Sequence, residues 1–93
     1  MNTKIGEQNA FMEIKMMGWA SKLTITIKSE VTHYKETSTW NELKLKPLIF
    51  VNDKLHEEFQ GKEVDAGGCS MQRAGANQDM VKQCFDYIAK FIR

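Results

Sequence analysis

Between Lys22 and Lys46 every aliphatic side chain falls on an odd-numbered position. Leu23, Ile25, Ile27 and Val31 are odd-numbered, while Thr24, Thr26, Lys28, Glu30 and Thr32 are even. Beyond the polar connection Glu36-Thr37-Ser38, Leu43 and Leu45 are again odd, and Trp40, Glu42, Lys44 and Lys46 are even. A period of two is the signature of strands with one face on a core and the other in water. If the two runs pair as an antiparallel hairpin, opposed residues must have an even number sum, or one apolar set would turn outward. Two registers satisfy this. One sets Val31 across from Leu43 and Tyr34 across from Trp40; the other sets Val31 across from Leu45 and Glu30 across from Lys46. Both predict the same solvent face: Lys28, Glu30, Thr32, Tyr34, Trp40, Glu42, Lys44 and Lys46.

The flanking segments fill out the sheet. Met12, Ile14 and Met16 alternate like a strand, although Phe11, Ile14 and Met17 also fit a helix face; the strand is preferred, linked onward by Gly18-Trp19-Ala20-Ser21. Pro47 removes one ladder donor and points to an edge or a bulge, and an exposed edge there would leave room for a homodimer. Leu48-Ile49-Phe50-Val51 reads as a buried strand, and Asn52-Asp53-Lys54 as a turn. Leu55 and Phe59 fit either a helical turn or strand alternation, so residues 53–60 stay open. Residues 65–76, with three glycines, read as a flexible loop. A helix follows over residues 77–92, capped by Asn77, with Asp79 near its positive end. Val81, Cys84, Phe85, Ile88 and Ile92 form its apolar stripe. The expected architecture is one α+β domain over residues 1–93, mainly strands to residue 64. It is a small, mostly antiparallel sheet of roughly three to five strands, with the C-terminal amphipathic helix packed on one face.

Composition narrows the function classes. Thirteen basic and twelve acidic side chains leave a formal charge of +1, without the basic excess that counterion release rewards in nucleic-acid binders. No apolar run approaches bilayer length, and the first residues lack a signal-peptide core. Two cysteines, Cys69 and Cys84, are too few for a disulfide-stapled secreted domain. A reduced cytoplasmic protein with no membrane association is expected.

Sites of chemistry are hard to assemble from these residues. The soft ligands His33, His56, Cys69 and Cys84 lack paired metal-ligand spacing, so no metal is expected. Cys69, after two glycines and with His33 or His56 as a base, is the one nucleophile candidate, but an exposed loop thiol accounts for it. Adjacent Glu57 and Glu58 point in different directions. Gly67, Gly68 and Gly75 lack phosphate-loop spacing, which leaves Arg73 as a candidate anion contact near the helix start. No cofactor and no catalytic set is indicated.

The remaining feature is the face bearing Lys28, Tyr34, Trp40, Lys44 and Lys46. Aromatics among lysines suit a protein-contact surface, because Trp and Tyr bring large area at low entropy cost. They also suit single-stranded nucleic acid, although Glu30 and Glu42 among the lysines weigh against phosphate. The expected function is a small non-catalytic interaction protein that binds a larger protein or ribonucleoprotein complex. An inhibitor or immunity-type protein, such as a phage-encoded inhibitor of a host defence complex, fits that description. A nucleic-acid-binding module and a small cysteine-dependent enzyme are the alternatives.

Overall fold

The computed structural model describes residues 4–17, 22–68 and 70–91. Trp19 and Cys69, and with them the Cys69 thiol site, lie outside those residues. Five strands and one helix follow in order: β1 (Gln8–Met17), β2 (Lys22–Glu36), β3 (Asn41–Val51), β4 (Lys54–Leu55), β5 (Val64–Asp65) and α1 (Ser70–Phe91). All strand pairings are antiparallel; β2 lies between β1 and β3, and both β4 and β5 pair with the far side of β3. The α+β expectation holds. The β2–β3 hairpin dominates the shape, whose principal extents are 55 × 21 × 19 Å; 15 residues of β2 account for roughly 50 Å at the usual strand rise.

The two-residue alternation works as read over most of the hairpin. Ile25, Ile27, Val31, Leu43, Leu45 and Ile49 are buried under α1, and the register is the one that sets Val31 across from Leu45 and Glu30 across from Lys46. It does not continue to the tip. A bulge between Val31 and His33 shifts the pairing, so that Tyr34 lies opposite Leu43 and Lys35 opposite Glu42. One extra residue reverses the faces of everything beyond it. Tyr34 therefore packs against the cluster of Val31, Leu43, Leu45, Ala66, Ala76 and Met80. Its expected place on the solvent face with Trp40 is corrected by that bulge.

Residues 8–17 are strand, and β1 carries its own bulge between Ala10 and Met12. Residues 53–60 contain no helix. Asn52 and Asp53, with φ of 51° and 66°, form the left-handed two-residue turn that joins β3 to β4. Pro47 is a buried residue of β3, opposite Ser29, at a local edge: β4 and β5 pair with β3 only at Phe50–Val51 and at Lys44–Leu45. The carbonyls of Leu43 and Ile49 accept bonds from Ala66 and His56 on the side away from β2. By alternation the backbone nitrogen of Pro47 faces that side too, in the gap between β4 and β5. Gly61 backs it closely, since a Cβ there would meet the Pro47 Cγ at 2.6 Å.

The helix begins at Ser70, seven positions before the expected Asn77 cap, and takes in residues 70–76 of the presumed loop. Met71, Gln72, Arg73 and Ala74 are good helix formers. Ala76 is buried in the first cluster, one turn ahead of Met80, so packing rewards the extension. Gly75 faces open space and costs the helix only about 1 kcal/mol relative to alanine. Towards the other end a second cluster of Ile25, Ile27, Ile49, Cys84 and Ile88 forms the rest of the core. No helix among the described residues is long and apolar enough to cross a membrane.

Candidate functional site

Three of the lysines expected on the solvent face stand there, each with a partner from the chain itself. The Lys28 ammonium sits 4.3 Å above the Phe50 ring. Lys46 lies 3.8 Å from the Glu30 carboxylate, and Lys44 lies 3.8 Å from that of Glu63. Glu63 also accepts a 2.5 Å hydrogen bond from the Thr32 hydroxyl, at the bulge that turns Tyr34 away. Exposed pairs of this kind add little stability, but they balance the positive charge of the face. Tyr34 lies on the opposite side of the sheet, so the proposed set does not form one surface.

Trp40 stands apart from the lysines. It lies in the β2–β3 turn, outside either strand, with 57 % of its surface exposed. The turn that carries it is closed on itself. The Thr37 N–H donates to the Trp40 carbonyl at 2.9 Å, the Thr37 hydroxyl also bonds that carbonyl, and the Trp40 N–H donates back to the hydroxyl at 2.9 Å. A threonine three residues ahead of the tryptophan is the local signal for this arrangement.

The chain returns to the same tip after β5. Gly67 and Gly68 run against the start of β3, with the Gly68 N–H donating to the Asn41 carbonyl at 3.2 Å. A Cβ on Gly67 would lie 2.8 Å from the Leu43 nitrogen, so only glycine lets the backbones approach. This brings the first turn of α1 beside Trp40 across a hollow lined by Asn41, Glu42, Asp65, Gly67 and Gln72. Met71, in that same helical turn, is 82 % exposed. Sequence reasoning missed Met71 and Gln72 because it left them in a loop. Arg73 lies in the same first turn of α1 and is exposed, near the helix start where its anion contact is expected.

Elsewhere, Cys84 and the set of Tyr87, His56 and Glu58 are titratable groups with defined contacts or shifts. Burial pushes the Cys84 thiol up to about 12, which makes it a core side chain and a poor nucleophile. The Tyr87 hydroxyl and His56 Nε2 are 2.7 Å apart, with the Glu58 carboxylate 3.9 Å from the same nitrogen. Burial first, and Glu58 second, raise Tyr87 above the ordinary phenol range, so it stays a neutral partner for the ring. Among the described residues no three His, Cys, Asp or Glu side chains converge as a metal site. Comparison with family models, with curated proteins and with solved structures gives no match.

Proposed function

We propose that this chain is a small non-catalytic interaction protein that engages a larger protein through the tip formed by the β2–β3 turn and the first turn of α1. The observation that carries the reading is Trp40, held outward by the Thr37 turn with 57 % of its surface exposed. A large exposed aromatic on a backbone ordered by its turn, beside a polar hollow, is the kind of anchor that dominates interface energies, because the backbone part of its ordering cost is already met. Met71, exposed on the same first helical turn as Gln72, is a flexible apolar side chain of the kind that adapts to a partner's contour. Inhibition of a larger protein or ribonucleoprotein complex, with a phage-type inhibitor as one form, suits a domain that contributes contact area and no chemistry. A reducing cytoplasmic setting suits the buried free thiol of Cys84.

The test is partner capture with the folded chain, with and without nuclease, followed by affinity measurements on Trp40→Ala and Met71→Ala. Trp40→Ala is expected to weaken the retained protein partner by at least roughly tenfold with an unchanged circular dichroism spectrum. An unaltered affinity, or retention that disappears on nuclease treatment, overturns the reading.

A further inference from the structure

The strand β1 has a partner on one side only. Among the described residues nothing pairs with its outer edge. The helix lies over β3 and β5 and reaches β2, but its backbone comes near no part of β1. The direction of each free backbone group follows from the ladder. Val31 donates to the Glu7 carbonyl at 2.9 Å and accepts from the Gly6 N–H at 2.8 Å. Odd-numbered β2 residues therefore aim at β1, while Thr24, even-numbered, accepts from Asn52 on the other side. Ile27 and Ile25 pair with Met12 and Ile14, so those two β1 residues spend their backbone groups inward. Glu13 and Lys15 then direct theirs outward, where they are available to another strand.

The side chains along this edge are self-complementary about Ile14. In an antiparallel pairing of two β1 strands about a two-fold axis at Ile14, Glu13 of each copy meets Lys15 of the other, and Met12 meets Met16. The outward backbone groups of Glu13 and Lys15 become the hydrogen-bonded pairs. The neighbouring registers that keep the faces matched set Glu13 against Glu13 or Lys15 against Lys15, which opposes like charges. Within one chain these two side chains already lie on the same sheet face, 3.6 Å apart and more than half exposed. On the helix side the axis brings together two rows of half-buried Met12, Ile14 and Met16. Both helices then lie on one face of a continuous sheet.

We propose that the outer edge of β1 is a self-association surface, and that its occupant is β1 of a second copy of this chain, centred on Ile14. This surface is separate from the tip that carries Trp40, and either reading stands without the other.

Sedimentation equilibrium over a concentration series tests it. The wild-type chain is expected to form a dimer. Glu13→Lys and Lys15→Glu, each alone, are expected to weaken that dimer by roughly tenfold or more, because each replaces two attractive cross-strand pairs with repulsive ones. An equimolar mixture of the two variants restores association, since every cross-strand pair is then of opposite charge. Lys15→Pro removes an outward N–H without touching the β1–β2 ladder, and is expected to yield a folded monomer. A monomeric wild-type chain overturns the proposal, as does a dimer indifferent to all three substitutions. A wild-type monomer whose capture of a foreign protein is lost in Lys15→Pro assigns the edge to a different occupant and equally overturns it.

Discussion

The hydroxyl of Tyr87 on α1 meets Nε2 of His56 at 2.7 Å, tying the helix to the segment that follows β4. The Tyr87 ring also packs edge-on against Phe59, with centroids 5.0 Å apart, and leans on Phe91 at 4.9 Å. Tyr87→Phe keeps those ring contacts and deletes the hydrogen bond alone. It is expected to lower the thermal midpoint by a few degrees while leaving the folded spectrum intact. A midpoint equal to that of the wild type would show the bond to be energetically idle.

Two glycines that look alike in sequence are expected to respond in opposite directions to alanine. At Gly67 the added Cβ would lie 2.8 Å from the Leu43 backbone nitrogen, and backbone cannot step aside cheaply. Gly67→Ala should cost about 1–3 kcal/mol. Gly75 meets nothing within 4 Å, and Gly75→Ala should stabilise by about 0.5–1 kcal/mol through helix propensity and reduced unfolded-state freedom. Urea denaturation of both variants provides the comparison, and equal signs would contradict it.

The buried thiol of Cys84 makes stability fall in alkali. Its pKa is raised in the folded chain from 9.0 to about 12, so the folded state holds the proton more tightly than the unfolded one. The contribution is complete below pH 9 and is lost as the pH climbs towards 12, with a slope of at most about 1.4 kcal/mol per pH unit. Tyr87, shifted in the same direction, adds to the loss. Cys84→Ala should show a flatter stability profile than the wild type between roughly pH 9 and 11. Parallel profiles would mean that the thiol ionises as freely inside as outside.

Thr37 holds Trp40 in place through the turn described above. Thr37→Val keeps the bulk of the side chain and removes the hydroxyl. Backbone order parameters at residues 38–40 are expected to fall below about 0.6, with a stability cost of about 1 kcal/mol. Unchanged relaxation at Trp40 would show that the strands alone fix the turn.

The sheet was legible because Ile25, Ile27, Val31, Leu43 and Leu45 report their burial through local alternation. The turn at Asn52 and Asp53 was legible because those residue types tolerate positive φ. Tyr34 was misplaced because the bulge behind it involves Thr32 and Glu63, 31 residues apart, and no local pattern encodes that contact. The start of α1 was misplaced for a related reason. Gly67, Gly68 and Gly75 look alike in composition, yet only the burial of Ala76 against the sheet decides which of them the helix absorbs. Of the candidate site, the exposure of Trp40 was legible, whereas its company at the tip depended on where β5 returns the chain.

Pro47 has a consequence for what happens when the protein is stressed. It stands midway along the flank of β3 that β4 and β5 shield with only two residues each. If those short strands peel away, a foreign strand could zip along the newly bared side from either end, but it would find no donor at the midpoint. The central strand thus carries its own safeguard against runaway polymerisation, built into a position that stays hidden while the native shell is closed.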